Sequence, residues 1–94
     1  MSRLKAAQYG VVHSQNSSGL VHTGRALIWS LNFNGSSGVN VWDSLSGGGA
    51  LAWSFAADGS AGYAPKFIMF PQGMPMDIGI WITGEMRLTY TILP

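Results

Sequence analysis

Ninety-four residues fit one small domain with a single core and leave no room for a second. Cysteine is absent, which excludes disulfides and thiolate metal sites. Charged residues make up 10% of the chain, and the formal net charge of +1 excludes the basic footprint that nucleic-acid binding needs, while 47% hydrophobic residues exclude disorder. An ordinary soluble domain carries roughly 25% charged residues, and a fold of this size exposes roughly 5,000 Å². The surface is therefore thinly charged, and part of its apolar area is expected to meet other chains.

Residues 1–7, with Arg3 and Lys5, read as an N-terminal arm before a single domain over residues 8–94. Met1 to His13 shows no continuous apolar stretch of the leader kind after Arg3 and Lys5, and no apolar run reaches the roughly 18 residues of a membrane span. No membrane partner is expected. Thirteen glycines interrupt the chain so often that long helices are excluded, and the runs between them are rich in Val, Ile, Trp, Phe, Tyr and Thr. The expectation is an all-β chain.

Gln8 to His13 and Leu20 to Thr23 read as short strands around the polar Ser14 to Gly19 loop. From Arg25 to Asn34, Leu27, Trp29, Leu31 and Phe33 alternate with Ala26, Ile28, Ser30 and Asn32, so one buried face is expected along a long strand. Asn34 to Gly38 is turn chemistry, and Val39 to Asp43 is expected to close a hairpin with the preceding strand. After a second turn over Ser44 to Gly49, the strand Ala50 to Ala56 carries Leu51, Trp53 and Phe55 on one face. A third turn, Asp58 to Gly62, leads to the strand Pro65 to Phe70, which Pro71 and Gly73 are expected to end. Met76 to Thr83 and Met86 to Ile92 then read as a C-terminal hairpin about Gly84-Glu85, with Ile78, Ile80, Ile82, Leu88 and Tyr90 buried. Seven to eight short strands at this spacing imply an antiparallel β-sandwich, jelly-roll-like.

Few constellations point to chemistry. His13 and His22 are nine apart, not a ligand spacing on one element, although a hairpin across their loop would bring them together. The four carboxylates Asp43, Asp58, Asp77 and Glu85 would have to supply any paired acid/base site. Asp43 and Asp58 instead stand where an Asx side chain caps its own turn. Gly47-Gly48-Gly49 lacks the Gly-Lys-Ser/Thr of a phosphate loop and reads as a flexible connection. No catalytic, cofactor or metal residue is assigned, and no enzyme activity is expected. Of the four tryptophans, Trp29 and Trp53 share faces with Leu and Phe and read as core. Trp42 and Trp81 point away from Val39/Val41 and Ile80/Ile82 and are the candidates for an outer surface. Such a surface would meet a second layer or a neighbouring subunit, or else stack on sugar rings.

From about Gly24 onward the chain resembles small virion proteins of tailed bacteriophages. The resemblance lies in the apolar strand Ala26 to Phe33, Val39-Asn-Val-Trp-Asp43 with its Ser/Gly-rich turn, Phe70-Pro71, Ile78-Gly-Ile-Trp-Ile-Thr-Gly84, and Met86-Arg-Leu-Thr-Tyr-Thr-Ile92. It implies a β-sandwich that decorates or cements a capsid, made in the host cytoplasm and located on the virion. The implied partner is the major capsid protein or another virion protein. The thin charge and the outer-face Trp42 and Trp81 lead us to expect homo-oligomerisation, for which the resemblance favours a cyclic trimer, and Arg3, Lys5, Trp42 and Trp81 are the expected interface residues. The alternatives are a tail or fibre adhesin, a carbohydrate-binding module, and a small β-sandwich enzyme.

Overall fold

Alternating Val, Ile, Trp and Phe form strands and no helix in the computed structural model, which describes residues 11–15, 18–57 and 64–93. Among these residues eight strands follow in order: β1 (Val11–Gln15), β2 (Gly19–Thr23), β3 (Ala26–Asn34), β4 (Val39–Asp43), β5 (Ala50–Phe55), β6 (Pro65–Met76), β7 (Gly79–Thr83) and β8 (Met86–Ile92). They make two four-stranded sheets, β1-β8-β3-β6 and β2-β7-β4-β5, with every pairing antiparallel. β1 pairs with β8, β2 with β7, β3 with β6 and β4 with β5, as in one long hairpin rolled into two layers with its tip between β4 and β5. This is a jelly roll. The expected all-β sandwich is present, while the arm residues Arg3 and Lys5 lie outside the described residues.

Rolling changes the expected neighbours. The links β3 to β4 and β7 to β8 read locally as hairpin turns, yet each carries the chain from one sheet to the other. Gly84 shows why such a short link suffices: its φ is +96°, and a Cβ there would stand 2.9 Å from Val39 Cγ1 and 3.0 Å from the Gly38 carbonyl. Only glycine lets the β7–β8 crossing lie against the β3–β4 crossing. The hairpin expected to bring His13 and His22 together is likewise not formed, since β1 and β2 belong to different sheets. The β6–β7 boundary also differs from expectation, because β6 runs on through Pro71 and Gly73 to Met76. As an outer strand it tolerates Pro65, Pro71 and Pro75, whose missing N–H groups break no interior ladder.

Bulges then redistribute the faces. In β3, Ile28 pairs with Tyr90 and Ser30 with the adjacent Thr89, so Trp29 is an inserted residue against β8; against β6, where Ile28 pairs with Met74 and Ser30 with Met69, the excess lies on β6, whose residues 70–73 stand opposite Trp29 alone. An inserted residue flips every following side chain relative to simple alternation. Ala26 and Ile28 thus face inward before the bulge and Leu31 and Phe33 after it, and Leu27 and Trp29 are only half-buried. The expected placement of Trp29 in the core is corrected: its indole N–H donates to Thr91 Oγ1 at 2.8 Å instead. A second bulge, at Ala52, separates Leu51 from Trp53 and Phe55.

The core joins Ala26, Ile28, Leu31, Phe33, Met76, Met86, Leu88 and Tyr90 of the first sheet to Val39, Val41, Ile80 and Ile82 of the second. Ile78, expected to be buried, is 55% exposed because it lies in the turn between β6 and β7. Near the rim formed by β5 and β6, Phe33 meets Phe55 and Trp53 at ring separations of 5.1 and 5.6 Å, and Trp53 meets Phe70 at 6.3 Å. Among the described residues no polar or charged side chain is buried.

Candidate functional site on the second sheet

With the interior apolar, interaction chemistry has to be sought on the outer faces. On β4 and β7 the inward alternation of Val39, Val41, Ile80 and Ile82 sends Asn40, Trp42, Trp81 and Thr83 outward. The register places Trp42 opposite Trp81 and Asn40 opposite Thr83. Trp81 in turn faces Leu20 on β2, and Trp42 faces Leu51 on β5. One apolar row, Leu20–Trp81–Trp42–Leu51, therefore crosses all four strands. Its ends are open, with Leu20 44% and Leu51 51% exposed, and its two indoles are half-buried.

Local contacts hold the indoles. Trp42 Nε1 donates to Thr83 Oγ1 at 3.0 Å, which satisfies the N–H from within the face. The β4–β5 loop passes close to Trp81: a Cβ at Gly47 would sit 3.1 Å from its Nε1. The Gly-rich connection is thus a close approach of backbone to an aromatic ring. Beside the apolar row runs a polar one, in which Asn40 pairs with Thr83 on one side and Ser54 on the other.

Charge is nearly missing here. Asp43 is the one carboxylate or cationic side chain on the four strands of this sheet, and it does not cap its own turn as expected. Ser44 Oγ and Ser46 Oγ do that, accepting from the N–H groups of Ser46 and Gly48 at 3.1 and 3.4 Å. Asp43 reaches across to the β6–β7 turn instead. Its Oδ1 accepts from the backbone N–H of Asp77 at 3.0 Å, Ile78 at 2.8 Å and Gly79 at 3.3 Å, and its Oδ2 from Asp77 at 3.0 Å. Burial pushes this carboxyl up, but the three backbone donors outweigh it and hold its pKa below the usual 3.8.

Trp42 and Trp81 are therefore brought together on one outer face, as the alternation requires. Leu20 and Leu51 were missed, because a cross-strand partner is not visible in one strand's own pattern. Phe67 and Met69, 59% and 64% exposed on β6, were missed too, since alternation defines two faces without saying which is outer. Among the described residues no group of three or more His, Asp or Glu is arranged to hold a metal ion. His22 packs its ring against Tyr90 at 5.5 Å; the side chain of His13 lies outside the described residues, as does Asp58. Comparison of the chain with family models, curated proteins and solved structures finds no match.

Proposed function

We propose that the chain is a non-enzymatic structural protein of a bacteriophage virion, a capsid decoration or cement protein that binds the major capsid protein and stabilises the particle. The observation that supports this reading best is the apolar row Leu20–Trp81–Trp42–Leu51 on a sheet whose only ionic side chain is already engaged. Such a face loses little by leaving water, since no charge is stripped of its hydration. It gains roughly 25 cal/mol for each Å² of apolar area covered. Aromatic side chains, two of which stand at the middle of the row, are the residues most enriched at the centres of protein interfaces. The jelly roll adds support by analogy alone, being an architecture of viral capsid domains and also of lectins.

Cementing in this sense is adhesion without a reaction: many weak contacts across capsomer junctions oppose internal pressure. Co-sedimentation with purified capsids tests it. The protein is expected to pellet with particles, and Leu20→Asp, a charge at the open end of the row, to remain in the supernatant with an unchanged melting temperature. Wild-type protein that ignores capsids would overturn the reading.

A second reading, a carbohydrate-binding module or tail adhesin, is favoured by one observation. The neutral polar row Ser54, Asn40 and Thr83 beside two indoles is the mixture of hydroxyl, amide and ring faces that sugars meet. A tryptophan fluorescence change on titration with oligosaccharides, in protein that does not bind capsids, would establish it instead.

A further inference from the structure

We propose that two copies of this chain join edge to edge, β5 against β5 of the second copy, to make one continuous eight-stranded sheet from the two β2-β7-β4-β5 layers. The inference rests on the sheet edge and not on the capsid-binding face. A free edge strand offers unpaired N–H and C=O groups to any strand that fits, and proteins usually guard it with proline, charge or distortion. The chain guards β6 in this way, with Pro65, Pro71, Pro75 and Lys66 on one strand. β5, Ala50-Leu-Ala-Trp-Ser-Phe55, has neither proline nor charge, and its one bulge, at Ala52, leaves Trp53 to Phe55 in regular register with β4.

Three considerations select a second copy as the occupant. The first is charge: residues 44–57 contain no ionic side chain, so this edge can neither repel its own copy nor reward a charged partner. The second is fit: about a two-fold axis at Ser54, residues 51–57 of one copy lie opposite the same seven residues of the other, and five of those seven are exposed. The third is symmetry. Antiparallel pairing of a strand with itself is two-fold and closes, whereas pairing with a different edge would run on into rings or fibres. With the two-fold axis at Ser54, Trp53 of one copy faces Phe55 of the other. These are the half-buried rings at the β5–β6 rim, and the second copy would cover them. This two-fold pair departs from the three-fold ring that the phage resemblance implies.

The absence of cysteine makes the test clean. Ser54→Cys places one thiol on the proposed axis, where directly opposed Cβ atoms lie about 5 Å apart and close to disulfide reach. Asn32→Cys, exposed on the inner strand β3, is the control. Under mild oxidation Ser54→Cys is expected to give a covalent dimer at least about tenfold faster than the control. Sedimentation of the unmodified chain at micromolar concentration is expected to show a dimer. Ser54→Lys, which sets two like charges face to face, is expected to raise its dissociation constant at least about tenfold with circular dichroism unchanged. A monomer, a trimer, or equal disulfide yields from both cysteine variants would overturn the proposal.

Discussion

Asp43 illustrates how much one side chain does when the fold rather than its own loop supplies its partners. Its carboxylate accepts from three consecutive backbone N–H groups in a turn 34 to 36 residues away, tying the end of β4 to the link that carries β6 into β7. Asp43→Ala hands those largely solvent-exposed donors to water, and a loss of about 1 kcal/mol is expected in chemical denaturation. Because the folded pKa lies below the unfolded one, the stabilisation is complete above the unfolded pKa of 3.8 and is lost as pH falls through the folded value. The melting temperature should accordingly drop in acid, and Asp43→Asn should melt lower than wild type at neutral pH with a flatter response below it. Equal acid sensitivity in the two proteins would show that another carboxylate carries the effect. Gly84 makes the companion case. At φ +96° with Val39 and Gly38 pressed against it, Gly84→Ala should cost about 1 kcal/mol or more.

Elements were legible in the sequence where alternation is local and misleading where it is not. Glycine spacing and period-two faces identify the strands, and Val39, Val41, Ile80 and Ile82 fall inward as their pattern requires. What the pattern hides is which strand lies beside which. Gly84-Glu85 and Asn34 to Gly38 have hairpin composition, and nothing local distinguishes a turn that folds back within a sheet from one that crosses to the other. Long-range closure by β1·β8 and β2·β7 decides that, through contacts some 60 to 80 residues apart. The bulge at Trp29 is hidden likewise: the inserted residue is an apolar aromatic in an apolar run, so four alternating large side chains looked continuous. Ile78 and Ile80 give a direct measure of the register. Ile80→Ala, at a position with no exposure, should cost on the order of 2–5 kcal/mol. Ile78→Ala, two residues earlier in a turn, should stay within about 0.5 kcal/mol. Similar losses at both positions would mean that β7 begins before Gly79.

At the scale of the molecule the apolar face and the open edge belong to the same sheet, and their arrangement has a consequence for binding strength. β5 carries Leu51, the end of the apolar row, so joining two copies along β5 sets two such rows side by side on one continuous surface. A dimer of this kind is bivalent toward a shell that repeats its own binding positions. When the second contact becomes intramolecular, apparent affinity rises by about 10² to 10⁴ without any new contact. The two surfaces can therefore be separated by mutation. Ser54→Lys, whose charge stands beside the row and not in it, should weaken binding to an isolated capsid subunit far less than binding to whole particles, which should fall by about 10²-fold or more. Leu20→Asp should weaken both, since it alters the row and leaves the edge alone. Binding of each variant to subunits and to particles, measured side by side, gives the four numbers needed. If Ser54→Lys matched wild type on whole particles, each copy would be holding the shell alone, and the edge pairing would contribute nothing to cementing.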